Sequence, residues 1–316
     1  MKKTLFIFPL LLMPLVSCNK GPQTIELDYI FTAEPVVSAT NSTVFKNVQE
    51  DFALKTEGKR IMQAAVFVNK NVSTSVASKF LANLQSNIQA GKDNPDLIKT
   101  SIEELGTPAA QQTKFGIPGA MAKKVMAHNG FSLGFDYAKD TSSEISSFVK
   151  ILNPSIGDLE DKYIFQTSTY EETEDISSLK ILSPTGAPSI ALYNYATSEK
   201  FVTSNNPQTG VISQFDNDNY DIIVAPSHGG LNKVVKQNAN YQIAATITFG
   251  NLYIVSTGRD EDETLNEGDK VLYFQPNDLP GKVFNYLYGD LGLDTYSVDT
   301  AELTKNAISN NGTITL

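Results

Sequence analysis

With two histidines, one cysteine and no tryptophan, this chain of 316 residues has little of the material from which metal centres and disulfides are made. His128 and His228 stand far apart with no cysteine-rich cluster near either, which argues against a zinc site. A single cysteine forms no intrachain disulfide. Neither the dinucleotide G-x-G-x-x-G nor the phosphate-loop Gly-Lys-Ser/Thr pattern occurs, and no G-x-S-x-G elbow is present. Ser227 and His228 are adjacent, which denies them the usual nucleophile and base geometry. Basic residues are outnumbered, 25 Lys and Arg against 35 Asp and Glu, for a formal net charge of -10. With no basic stripe, a nucleic-acid partner is not expected. Nor is an enzymatic role, a cofactor or a metal.

The one cysteine, Cys18, gives the first positive signal. Met1-Lys2-Lys3 is basic, and Leu5 to Val16 is an apolar stretch of signal-peptide length, too short for a bilayer span. It ends in Leu15-Val16-Ser17-Cys18, which resembles a bacterial lipobox. That resemblance implies a signal peptide over residues 1–17, lipidation of Cys18, and a body anchored on the extracytoplasmic face of the cell membrane. No second run of ~20 apolar residues follows. Behind Cys18 the tether over 19–23 spans at most ~18 Å, so the body is expected close to the membrane.

The body is long enough for two domains at 41% hydrophobic residues. Thr24 to Phe31 reads as a strand ended by Glu34-Pro35, then a short helix from Val36 to Phe45 and a strand or edge segment from Val48 to Leu54. Met62 to Asn69 is a strand. Helices follow over 73–90, from Asn94-Pro95, over 118–126 and over 142–152. The first and last carry apolar stripes (Val76, Phe80, Leu81, Leu84 and Ile88; Ile145, Phe148, Val149 and Leu152) that read as core packing. The acidic stretch 167–178 reads as a linker. Beyond it the pattern alternates. Leu179 to Leu182 is a strand, the Pro184-Thr-Gly186 turn follows, and Ala187 to Ala196 is a helix. A strand over 210–215, strands at 220–225, 241–248, 252–255 and 270–274, and helices at 231–237 and 279–288 complete it. Such alternation predicts parallel βαβ units. The strand, glycine loop and helix start at 179–187 predict unpaired backbone N–H groups at a sheet's carboxyl end, where open α/β folds bind polar ligands.

Three segments, Ser183-Pro-Thr-Gly-Ala-Pro-Ser-Ile-Ala-Leu-Tyr, Asp221-Ile-Ile-Val-Ala-Pro-Ser and Thr248-Phe-Gly-Asn-Leu-Tyr-Ile-Val-Ser256, together resemble the opening half of ABC-transporter substrate-binding lipoproteins of the nitrate, sulfonate, taurine and thiamine-precursor class. The segments Asp28-Tyr-Ile-Phe-Thr-Ala-Glu-Pro35, Gln63-Ala-Ala-Val-Phe-Val-Asn-Lys70 and Asn153-Pro-Ser-Ile-Gly157 through Phe165 resemble the closing half of the same family. The halves stand in swapped order. The resemblance implies a two-lobed α/β type II periplasmic-binding-protein fold with mixed sheets, circularly permuted. Its first lobe would run over 58–256, with 167–178 joining the ancestral termini. Its second lobe would combine 24–57 with 257–316. The terminal segments Thr24-Ile-Glu-Leu27 and Thr313-Ile-Thr-Leu316 echo each other and are expected side by side or in competition for one position.

The expected ligand cleft draws on strand-end loops. Thr185, Gly186, Ala187, Ser227, His228, Gly229, Gly250 and Asn251 come from the first lobe. Gln275, Asn277 and Asp278 come from the second, with Glu34 on the neighbouring loop. Each has a plainer reading: Glu34 as the cap of the next helix, Gly186, Gly229 and Gly230 as turn residues, His228 as a polar loop residue, Tyr253 and Tyr273 as structural strand tyrosines rather than stacking platforms. No Arg or Lys lies in these loops, which favours a neutral or amine-bearing ligand over one held by a bidentate Arg. The expected function is an extracytoplasmic solute-binding lipoprotein of an ABC importer, a monomer that presents a small organic ligand to a membrane permease. The alternative is a surface lipoprotein of the same fold acting as an adhesion or partner-binding module.

Overall fold

The computed structural model describes residues 23–258 and 264–315. The expected signal peptide, Cys18 and the tether up to residue 22 lie outside the described residues. In chain order the strands are β1 (Thr24–Glu26), β2 (Tyr29–Ala33), β3 (Val44–Asn47), β4 (Met62–Asn69), β5 (Phe131–Tyr137), β6 (Ile181–Pro184), β7 (Phe201–Ser204), β8 (Ile222–Pro226), β9 (Tyr241–Gly250), β10 (Leu252–Ser256), β11 (Lys270–Phe274), β12 (Asp294–Val298) and β13 (Thr313–Thr315). They form a six-stranded sheet ordered β5-β9-β4-β8-β6-β7, a five-stranded sheet ordered β12-β11-β2-β10-β3, and a β1-β13 pair. The chain is a mixed α/β protein. None of its described helices is long and apolar enough to cross a membrane.

Both large sheets are mixed. Strand β6 runs parallel to β7 and β8, while β4 is antiparallel to β8 and β9. Strand β11 runs parallel to β12 and β2, while β10 is antiparallel to β2 and β3. The parallel units expected from alternation are therefore present only in part. Where a strand must cross from one sheet to the other, it pairs antiparallel. Strands β4 and β9 are almost wholly buried, as their near-continuous apolar and β-branched sequences require of sheet-centre strands.

Strand β9 runs directly into β10 through Gly250 and Asn251, both in left-handed backbone at φ +67°. One extended segment thus supplies both sheets. Strand β10, read as the end of a 58–256 lobe, hydrogen-bonds with β2 and β3 and belongs to the five-stranded sheet. The terminal strands lie side by side: Thr24 faces Thr315 and Glu26 faces Thr313 in antiparallel register.

Several local readings change. Residues 48–54 are not a strand but the start of a helix, Val48–Lys55. Asn47 Oδ1 accepts a bond from Gln49 N at 3.1 Å, and Glu50 and Asp51 fill the first turn, so capping and the helix dipole outweigh the apolar content. The 187–196 helix is shorter, Ala187–Ile190, with a separate turn at Tyr193–Tyr195. The 210–215 strand is a helical turn, Ile212–Asp216, and the sheet's edge strand is β7 instead. The stretch read as a helix over 36–45 splits into Val36–Thr40 and β3. Strands β5 and β12 and the helices Pro108–Phe115 and Ala301–Ser309 were not anticipated.

The acidic 167–178 stretch has no helix or strand, as a linker should. It is nonetheless pinned to the Thr74–Asp93 helix: Ser168 N donates to Ser78 Oγ at 2.9 Å and Lys79 Nζ to Glu174 O at 2.9 Å.

Three apolar clusters hold the layers. One lies on the outer face of the six-stranded sheet under the 74–93 helix, and a small one backs the five-stranded sheet. The third is continuous between the two sheets: Phe31, Phe67, Phe249, Phe274 and Phe284 share it with residues of the Ser142–Leu152 and Leu279–Tyr288 helices. Phe31 and Phe284 meet edge-on at 5.2 Å. Because this core is common to both sheets, Phe284→Ala is expected to lower stability by about 3–5 kcal/mol. Denaturant unfolding followed by far-UV circular dichroism should keep a single transition, whereas two separated transitions would show independently folding halves.

Candidate functional site

The carboxyl ends of β6, β7 and β8 open toward the carboxyl ends of β2, β11 and β12 across one cleft of about 530 Å³. Its wall from the six-stranded sheet includes Gln63, Thr185, Gly186, Ala187, Thr203 and Ser204. The opposite wall includes Ala33, Phe274, Gln275, Leu279 and Thr300, and Asn251 sits at the crossing between them. Of the residues expected there, Glu34, Thr185, Gly186, Ala187, Asn251 and Gln275 line this cleft.

The other expected residues lie elsewhere. Ser227 is fully buried and its Oγ–H donates to Met62 O at 2.5 Å, which fixes the start of β4. His228 and Gly229 are packed inside the Ser227–Leu231 helix, which begins four residues earlier than the sequence pattern indicated and turns them away from the cleft. A Cβ on Gly229 would meet the Ile212 side chain. Asn277 is exposed. Asp278, 1% exposed, is the N-cap of the 279–288 helix: Oδ1 accepts from Leu279 N at 2.8 Å and Oδ2 from Gln208 Nε2 at 2.5 Å. Gly250 faces a different, polar groove beside Arg60 and Phe249. Tyr253 is buried in β10, and Tyr273 stacks on Phe284 at 4.7 Å, so both serve packing.

The glycine loop also differs from expectation. Two of its N–H groups are engaged. Thr185 N donates to Ser204 O at 2.9 Å and Gly186 N to Phe115 O at 3.1 Å. Gly186 has φ +99°, a conformation that closes the turn tightly enough for the loop to sit under Pro35. The loop forms part of the cleft wall.

Gln275 shows the opposite character. It is a non-glycine residue in left-handed backbone, φ +52°, held there because its N–H donates to Val298 O and its carbonyl accepts from the N–H groups of Asp278 and Gly281. Such backbone strain, fixed by surrounding bonds, sits at the mouth of the cleft. Residues Gln63, Thr203, Ser204 and Thr300 escaped the sequence reading. Three of them follow or end the unanticipated strands β7 and β12. Gln63 was visible as the one long polar side chain at the start of an apolar run.

Behind the cleft Glu34 ties the two sheets. Its N–H donates to Asn251 Oδ1 at 3.2 Å, and Asn251 Nδ2 donates back to Glu34 O at 3.4 Å. Its carboxylate turns to the Val36–Thr40 helix, accepting from Ser38 N and Ser38 Oγ, so the capping reading describes its side chain. His128 Nδ1 approaches Glu34 Oε1 at 2.5 Å, and the His128 ring lies 4.7 Å from that of Tyr253. Lys124 Nζ donates to Ser38 O at 2.7 Å and to Asn41 Oδ1. Burial raises Glu34 from 4.5 to about 7 against the opposing Ser38 bonds and Lys124. Burial, then the Lys124 charge, lowers His128. Both shifts favour the uncharged form of each group.

His228 is 6% exposed, and neither of its ring nitrogens has a hydrogen-bond partner among the described residues. Burial, with Lys282 adding to it, lowers it to about 4. Among the described residues no group of three or more His, Cys, Asp or Glu could hold a metal. No family model matches the chain, and no curated protein or solved structure matches it.

Two pH-dependent outcomes follow from these shifts. A folded state that retains the Glu34 proton is favoured below pH 4.5 and loses that contribution as pH rises through about 7. The stability of Glu34→Gln relative to the native chain should therefore rise across that window in urea titrations. His228 acts in the reverse sense. Its neutral folded form is favoured above pH 6.5, and that contribution is lost as pH falls through about 4. His228→Met should gain on the native chain by on the order of 3 kcal/mol between those limits; a constant difference would mean that the ring is solvated.

Proposed function

We propose that this protein is an extracytoplasmic solute-binding lipoprotein of an ABC importer, anchored through Cys18, that binds a small organic ligand between its two sheets. The observation that carries this reading is the facing of the two sets of strand carboxyl ends across one cleft. That is where α/β sheets place ligands, and the volume of about 530 Å³ falls in the range of small-molecule sites. In this reading the fold is of the type II periplasmic-binding class in permuted order. The β9–β10 crossing is one connection between lobes, and residues 56–61, leading from the 48–55 helix into β4, are another.

Two further observations support the permutation. The terminal strands β1 and β13 pair with each other at the edge of the half that both chain ends build. The acidic segment that would join the ancestral ends has no regular structure and is strapped along a helix surface. Closure of the lobes over a ligand and presentation to a permease would follow the hinge behaviour of such folds. The alternative role, a partner-binding module without transport, draws on the continuous core between the sheets, which restrains hinge motion.

The test has two arms. Cells fed radiolabelled palmitate should label the native chain in the membrane fraction, and Cys18→Ser should abolish the label and release the protein. A thermal-shift screen of pyrimidines, sulfonates and small amines should raise Tm by several degrees for at least one member. A soluble, unlabelled native chain, or a monodisperse sample stabilised by nothing, would contradict the corresponding arm.

A further inference from the structure

Among the described residues, one buried side-chain polar atom of the cleft wall is left without a partner. Gln63 Oε1 is buried and has no hydrogen-bond partner among the described residues, although the residue lines the cleft. Its placement is built into the sheet. Met62 pairs with Phe249 and Ala64 with Thr248, so Gln63 is the extra residue of a β-bulge. Bulges of this kind re-aim a side chain, and they recur beside binding sites. The bulge is held from behind by the Ser227 bond to Met62 O. Leaving a buried amide oxygen unpaired costs about 1–3 kcal/mol, which a ligand donor would remove.

The charge around this atom is equally informative. Among the described residues lining the cleft there is no Lys, Arg or His. Of its carboxylates, Glu34 is turned to Ser38 and His128, and Glu302 is exposed. The helix starts at 279 and 301 present a field that favours negative charge. Asp278 caps the first on Leu279 N, and Thr300 Oγ1 takes one N–H of the second, that of Leu303. The N–H groups of Thr185 and Gly186 are likewise engaged. An anion entering here would lose its hydration without gaining a cationic side chain as partner. What remains is an amide edge, hydroxyls, and apolar surface from Phe274 and the prolines 35, 184 and 188.

We propose that the cleft takes an uncharged, planar small molecule bearing an amide-type edge, an N–H beside a C=O, which pairs with the Gln63 carboxamide. The inference rests on the cleft being the ligand site. A carboxamide matches such an edge with one donor and one acceptor, and a buried amide rejects a ligand that lacks the matching pair.

Matched probes test it: nicotinamide against nicotinate, and uracil against orotate, each pair differing by a carboxylate. Thermal shift and calorimetric titration at pH 7 should show a neutral member binding at least tenfold more tightly than its carboxylate partner. Gln63→Met, which keeps the shape and loses the edge, should weaken that binding tenfold or more while leaving the Tm of the free protein within a few degrees. Gln63→Asn separates reach from folding, because it preserves the amide on a shorter stem and should weaken binding in the same direction. Preference for the carboxylate members, or binding indifferent to Gln63→Met, overturns the ligand class and leaves the cleft reading standing. Silence from every probe, neutral and anionic alike, overturns the class; silence extending to the whole solute screen removes the cleft reading with it.

Discussion

The crossing at Gly250 and Asn251 is the constraint on which the rest of the structure depends. Strand β9 must leave one sheet and enter the other within two residues, and both residues adopt left-handed backbone to do so. A Cβ on Gly250 would stand 2.2 Å from Gly130 O, so only glycine fits. Asn251 then fastens the turn in three directions: its N–H donates to Gly130 O, its side-chain oxygen accepts from Glu34 N, and its side-chain amide donates to Glu34 O. That set of bonds fixes where the β2 end stands relative to the six-stranded sheet. The cleft is the space left between them.

The polar chemistry around this crossing divides into two shells with different tasks. Glu34, Ser38, Lys124 and His128 bind one half to the other. Ser227 and Asp278 also work inside the protein, one holding the start of β4 and the other capping a helix and receiving Gln208 from the opposite half. These are the chemically conspicuous residues of the chain, and the geometry spends them on structure. The cleft lining is quieter: mostly amides, hydroxyls, proline rings and one phenylalanine, with the exposed Glu302.

Much of the architecture was legible because apolar periodicity is a strong signal where burial is complete. Strand β4 and the helices 142–152 and 279–288 appear where the sequence pattern put them. The pairing of the chain ends was readable from the echo of Thr24-Ile-Glu with Thr313-Ile-Thr. Edge elements were not. Strand β12 is mostly exposed and β7 only four residues long, so neither carries a continuous apolar run. Missing them hid Thr203, Ser204 and Thr300, whose positions depend on where those strands stop. Ser227, His228 and Gly229 stand outside the cleft lining for another reason. The Ser227–Leu231 helix starts at once after β8, and the side chains at its first turn wrap into the core instead of the cleft. His128 stood outside every motif, and only the fold brings it to Glu34.

The most direct measurement of the account is a crystal structure of the protein grown with whichever solute raises its melting temperature. The account predicts density for that solute between the two sheets, in contact with Gln63 on one wall and Gln275 on the other, with the Asn251 to Glu34 bonds intact behind it. Density in the groove beside Arg60 and Phe249, or on the outer faces of the sheets with the cleft between them filled by solvent alone, would contradict it.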